Sequence, residues 1–401
     1  MRVCLHKSYL GSDLHLLCDT DRSVPWRWAS VVPSDAWVLG VGEERHARDL
    51  RFLASCVGAE ISPIPERFRR ADEITGAEGG RHIHTVPQSH LLAHVRDVLR
   101  DAEDLEDSAS DPYITRFALE TRRQICDLCD GRVDPVAWAD LMREDSSPAL
   151  ESFEPGDTGM VRAPVYDQVS SVTGRLTVSS GPQILTLRKD MRRIITPSRR
   201  GRRVLMVDFV SHEPRVALCM AGVDPPDDIY GWYRDEMMPT ISRDEAKIAI
   251  IGTLYGMSSS TLSEKLNSTI VEARVISESV RAQFGIQPLE RRLVAELRER
   301  GTIRSHFGRS IRPTSSAPGT IVNNYVQSTA LDVGMMGFRR IADELASRLI
   351  QARFLYYIHD AAVLEISERH EDNLREICDQ PLRLGDDFPG AIRAKVKEVT
   401  E

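Results

Sequence analysis

Two short apolar runs, far apart in the chain, each end on a single carboxylate. Val204-Leu-Met-Val-Asp208-Phe209 is β-branched and apolar up to its aspartate, and Phe354-Leu-Tyr-Tyr-Ile-His359-Asp360 repeats the pattern. Runs this short read as buried strands with charged tips. Strand character resumes over residues 361–366, which predicts a hairpin with Asp360 at its turn. The chain is thereby constrained to a sheet that can bring carboxylates distant in sequence together. Two such groups can bridge or flank Mg²⁺ ions about 3.5–4 Å apart, with substrate phosphates completing octahedral shells. Each aspartate taken alone is equally an ordinary turn residue.

Between the strands lies Arg243-Asp-Glu-Ala-Lys247-Ile-Ala-Ile-Ile251-Gly-Thr-Leu-Tyr255-Gly256. At helical period Arg243, Lys247, Ile251 and Tyr255 share one face. That face carries two cations, an aliphatic side chain and an aromatic ring in order, which matches a triphosphate, a sugar and a base. A surface helix whose ring packs on a neighbour has the same spacing.

The 401 residues suffice for two or three domains. No apolar run reaches the roughly 18–20 residues of a membrane span, and the N-terminus lacks the apolar segment of a signal peptide. Seven scattered cysteines suit a reducing compartment. A cytoplasmic protein with no membrane partner is expected. The net charge of −8 argues against a non-specific nucleic-acid coat, but residues 188–203 hold eight Arg/Lys against one Asp. That run can contact phosphates or form a solvated loop. His82, His84, His90 and His94 form a loose cluster without cysteine neighbours, better read as a solvated face than as zinc ligands. Cys126 and Cys129 make one C-x-x-C with no second pair, better read as a helix face than as a metal site.

Six segments in order resemble family A DNA polymerases, the group of bacterial polymerase I and the T-odd phage replicases. Thr173-Gly-Arg175-Leu176 is similar to the entry to the palm, and Asp208-Phe-Val-Ser-His-Glu213-Pro-Arg215 to motif A. Arg243-x3-Lys247-x7-Tyr255-Gly256 resembles motif B on the fingers. Phe307-Gly308-Arg309 and Asn323-x3-Gln327-x-Thr329-Ala330-x-Asp332 resemble the linking segments, and Tyr357-Ile-His359-Asp360 resembles motif C.

The resemblance implies an α+β right-hand polymerase fold with an antiparallel-sheet palm, helical fingers and a reduced helical thumb. The implied divisions are a small N-terminal α/β accessory region at 1–88 and the thumb at 89–172. Palm follows at 173–222, fingers at 223–312 and palm again at 313–401. It further implies a monomeric, template-directed DNA polymerase acting in replication or repair on primer–template DNA and dNTPs, with replication accessory proteins as further partners. Two Mg²⁺ ions, or Mn²⁺ in their place, would be held by Asp208 and Asp360, with Phe209 as a further metal contact. Arg243 and Lys247 would bind the triphosphate, Lys247 also protonating the leaving group, and Tyr255 would stack near the template base. Glu213 would sit under the sugar and reject ribonucleotides, and Tyr230 and Ile251 complete the dNTP set. Arg175, Asn323, Gln327, His359, Arg309 and Arg215 would contact DNA.

The departures are specific. Ala361 stands where the family has a carboxylate after motif C, Ile251 where it has an aromatic, and Tyr230 where it has a histidine. Only about forty residues separate Gly131-Arg-Val-Asp134 from Thr173, where the family inserts a long thumb. Synthesis is therefore expected to be distributive, and residues 1–85 carry no carboxylate set for proofreading. An RNA polymerase or primase-like nucleotidyl transferase, or a non-catalytic primer–template binder, remain rival readings.

Overall fold

The structure, a computed structural model, describes residues 1–10, 12–19, 27–40, 49–57, 59–76 and 82–400. It forms two compact units, Met1–Cys126 and Asp127–Glu401. Among the described residues no helix is long and apolar enough to cross a membrane.

The first unit is built on a four-stranded sheet. Strand β1 (Arg2–Leu5) lies antiparallel to β2 (His15–Asp19) and parallel to β4 (Trp37–Leu39), and β3 (Arg27–Ala29) pairs on the outer side of β2. The inner position of β1 explains why Val3, Cys4 and Leu5 are all buried. Helix Leu50–Val57 buries Leu50, Phe52, Leu53 and Ala54. Helix Gln88–Asp104 buries Leu91, Val95, Val98 and Ala102 on one face. The histidine cluster dissolves into separate contacts. His82 pairs with Asp72 at 2.7 Å, His94 meets the Tyr9 hydroxyl at 2.7 Å, and His84 and His90 are exposed.

The second unit holds an antiparallel sheet in the order β6-β7-β5-β8. Its strands are β5 (Arg202–Phe209), β6 (Arg353–Ile358), β7 (Ala361–Ser367) and β8 (Ala394–Glu398). β5 is flanked by β7 from Arg202↔Ser367 to Asp208↔Ala361 and by β8 from Leu205↔Glu398 to Phe209↔Ala394. A strand with two neighbours buries its length, which is why residues 204–207 are continuously apolar. Ile358↔Ala361 pairing leaves His359 and Asp360 as the two turn residues of the expected hairpin. The 30-residue helix α4 (Pro318–Ser347) packs Phe338 on Phe209 and Tyr357, with ring centroids 4.6 and 5.4 Å apart.

Among the shorter helices that precede it are α1 (His212–Met220), α2 (Ile229–Met237) and α3 (Arg243–Leu254). Ser242 and Glu245 form a capping box that fixes where α3 begins. Ala246, Ala249, Ile250 and Leu254 bury its other face against Tyr233, Ile276 and Val280, which leaves Arg243 and Lys247 exposed. Past its end, Gly256 adopts φ 74°, and a Cβ there would lie 2.8 Å from the Cα of Gly319. Only a glycine suits both that backbone and that approach.

The helical region expected at 89–172 is divided between the units. Residues 89–126 belong to the first. Beyond them, Gly131–Val133 pairs with Met160–Val161 and Ile195–Thr196, and the longest helix before Thr173 is Pro135–Glu144, N-capped by Asp134. The basic run 188–203 is broken up as well. Arg192 is buried in a 3-10 turn, Arg202 is buried against Glu365, and Arg203 pairs with Glu371 and Glu398. Only parts of it, such as Arg199 and Arg200, are exposed.

Candidate active site

β5 delivers Asp208 to the end of the sheet beside the β6–β7 turn, where the Phe209 amide donates to the Asp360 carbonyl at 3.1 Å. His359 opens that turn at φ 55° and Ser211, just past β5, sits at φ 49°. Left-handed backbone at non-glycine residues is uncommon, and here two cases flank the paired aspartates. Burial pushes the Asp360 carboxyl above the usual carboxylate range; His212 opposes this and the Asp208 charge adds to it. Burial also lowers the His359 imidazole, with Arg175 adding to that effect and Asp360 working against it.

Glu213 stands in the first turn of α1, accepting a hydrogen bond from Arg175. Burial works against the Arg175 charge, but Glu213 and Tyr255 outweigh it and raise its pKa. Tyr255, one residue beyond α3, is raised by burial and by its hydrogen bond to Glu213. Arg175, Glu213 and Tyr255 therefore form one linked group.

Arg243 is not a free cation. Its Nε and one Nη donate to the two Asp228 oxygens at 2.8 and 2.9 Å, and its guanidinium lies 5.4 Å from the Tyr230 ring centre. The Arg243 hydrogen bonds hold the Asp228 carboxyl below its usual range. Burial raises the Tyr230 phenol, which hydrogen-bonds Ser211.

A cleft of about 620 Å³ gathers these groups: Asp208, Phe209, Glu213, Tyr230, Arg243, Lys247, Ile251, Tyr255, Arg175, Gln327, His359 and Asp360 all line it. That size suits a small-molecule ligand. Three expected contacts do not line it. Arg215 is 1% exposed and donates to the carbonyls of Val210, Pro225, Pro226 and Asp227 at 3.0–3.4 Å, so it braces a loop and is not a DNA contact. Arg309 is also buried, 3.8 Å from Asp332 and crowded against Gly174, which removes it from any DNA-facing surface. Asn323 is half-buried, one turn before Gln327.

Two lysines not singled out by the sequence line the cleft, Lys395 and Lys397 on β8. Lys397 pairs with Asp208. The alternation Lys-Val-Lys marks one face of a strand, but only the register with β5 shows which face meets Asp208. Ser211 and His212 were likewise missed; the His212 imidazole meets the Ala330 carbonyl at 2.7 Å.

Among the described residues no group of three or more His, Cys, Asp or Glu side chains could hold a metal by itself. Two converging carboxylates, one with its proton affinity raised by burial and by the charge of the other, do fit a hard cation that takes its remaining ligands from water and substrate phosphates.

The family model described as DNA polymerase family A matches residues 148–397. The chain belongs to that family. Its family A relatives include DNA polymerase I of Aquifex aeolicus, 24% identical over 241 residues, covering 55% of this chain and 42% of that protein. DNA polymerase I of Chloroflexus aurantiacus is 25% identical over 353 residues, covering 80% of this chain and 36% of the relative. The chain thus spans less than half the length of these relatives. Among solved structures, the POL domain of Pol1 from M. smegmatis, in complex with DNA primer-template and dNTP, superposes with a TM-score of 0.61 at 15% identity. The match covers 90% of this chain and 82% of that one, and it shows a shared fold.

Proposed function

We propose that this family A chain is a template-directed DNA polymerase that adds deoxynucleotides to a primer 3′-hydroxyl. The observation that carries the reading is the convergence of Asp208 and Asp360 with the α3 face of Arg243, Lys247 and Tyr255 around one cleft. Residues 173–222 and 313–401 would act as palm, 223–312 as fingers and 89–172 as a reduced thumb. Asp208 and Asp360, with the Phe209 backbone, would hold two Mg²⁺ ions, which when bound activate the 3′-hydroxyl and neutralise the leaving pyrophosphate.

The chain's own residues supply the rest. Lys247 meets the triphosphate oxygens and can donate a proton to the leaving group. Arg243 is pre-oriented by Asp228 and joins it by exchanging that carboxylate for phosphate. Glu213, held by Arg175 and Tyr255, forms a charged floor under the sugar where a 2′-hydroxyl would be poorly accommodated. Tyr255 offers its exposed ring to the template base. Gln327, His359 and Arg175 face the primer end. With no long helix between Val133 and Thr173 to wrap the duplex, synthesis is distributive.

The test is primer extension on a defined template with Mg²⁺, comparing dNTPs with NTPs. Templated incorporation of dNTPs over NTPs is expected, with short products in the presence of trap DNA. No extension with dNTPs would sink the proposal, and equal use of NTPs would favour the RNA polymerase-like reading.

A further inference from the structure

The row of side chains across the sheet at Asp208 has an unusual charge pattern. In register, Asp208 faces Ala361 on β7 and Lys395 on β8. The diagonal neighbour Lys397 reaches back and pairs with the Asp208 carboxylate. One flank thus offers a methyl group and the other two ammonium groups. Glu213 is already paired with Arg175. Asp208 therefore already holds an ammonium partner before any ion enters, and Lys395 lines the same cleft.

The residue type is informative. Only six of the 52 Lys and Arg residues are lysine, and two of the six stand here. A buried carboxylate elsewhere in the same sheet, Glu365, is held by arginines, Arg202 and Arg353. A guanidinium fork locks a carboxylate in two-point geometry, whereas an ammonium on a four-carbon stem makes one movable contact. Lys397 and Asp208 are both partly exposed, at 34% and 25% of their side chains, so the ammonium can swing into water without being stranded.

We propose that Lys397 is an internal counter-ion that competes with a divalent cation for the Asp208 carboxylate, so that binding the ion requires this salt bridge to open. The inference rests on reading Asp208 and Asp360 as metal carboxylates. Without nucleotide, a divalent ion must displace the ammonium that Asp208 already holds, and it binds weakly. A triphosphate brings the negative charge that both the ion and the displaced ammonium can use. Ion and nucleotide binding are then coupled, and Lys397 sets the strength of the coupling.

The experiment is a Mn²⁺ titration of the full chain without nucleotide, followed by the electron paramagnetic resonance signal of free Mn²⁺. Lys397→Met and Lys397→Gln, two neutral replacements of similar length, guard against one of them failing to fold. Both are expected to bind Mn²⁺ about tenfold or more tightly than the parent, the order of effect of removing a unit positive charge next to the ion in a partly solvated site. Lys397→Arg should retain weak binding, and the gain from Lys397→Met should vanish in an Asp208→Asn background. Added dNTP should tighten Mn²⁺ binding more in the parent than in Lys397→Met. Equal or weaker binding by folded Met and Gln variants overturns the proposal, as does a gain that persists with Asp208→Asn. The titration needs no turnover, so a chain that extends no primer yet shows these shifts loses the polymerase reading and keeps this one.

Discussion

The β5–β7 strand pair carries carboxylates towards both ends, about 13 Å apart at strand spacing, and treats them in opposite ways. At one end Glu365 is 1% exposed and saturated: Arg202 and Arg353 pair with it, and the Ser198 hydroxyl donates to it at 2.7 Å. At the other end Asp208 has one lysine, and Asp360 has burial and a like charge for company. A carboxylate fully matched by guanidinium groups is part of the scaffold. One held by a single movable ammonium can exchange it for a cation, and strained backbone at Ser211 and His359 marks the same end.

The largest expected break in that contrast is catalytic. Asp208→Ala should reduce primer extension by about a thousandfold or more, with the thermal midpoint nearly unchanged, because it removes a group held for chemistry. Glu365→Ala should do the reverse. It strands the buried Arg202 and should destabilise the fold by about 3–5 kcal/mol, read by urea denaturation. Stability loss from Asp208→Ala as large as from Glu365→Ala would erase the distinction. The smallest effect concerns pH. The folded-state pKa of Asp360 is raised, so its contribution to stability is present below the ordinary carboxylate range and lost as pH rises through the raised value. Metal-free Asp360→Asn should therefore be more stable than the parent near neutrality, with the gap closing towards about pH 4. A gap that widens on acidification would show the sign to be wrong.

The saturated end was invisible in the sequence and the end that lines the cleft was not. Asp208 and Asp360 terminate apolar runs, and Arg243, Lys247 and Tyr255 follow helical spacing, so local pattern made them candidates and the ordered motifs of the family resemblance separated them from turn residues and a plain surface helix. Arg215 lies in the same motif as Asp208, yet motif membership does not reveal burial. Its role as a brace depends on the loop carbonyls of Pro225, Pro226 and Asp227 closing over it. The partners of Glu365 come from two segments far apart in the chain, and the basic run that supplies Ser198 and Arg202 reads as a surface until the register of β5 turns it inward. Lys395 and Lys397 were hidden for the same reason. Strand alternation defines two faces without saying which one matters. Asp228 adds a third case: its pairing with Arg243 spans 15 residues and two helices, beyond any helical spacing rule.

The contact between Gly256 and Gly319 has a mechanical consequence. With no side chains between the two backbones, the C-terminal end of α3 rests on the start of α4 as a lever rests on its fulcrum. The arm from Gly256 back to Arg243 is about 18 Å long at helical rise, so a tilt of about 10° at the glycine sweeps the guanidinium through about 3 Å. That is one hydrogen-bond length, the difference between Arg243 gripping Asp228 and releasing it.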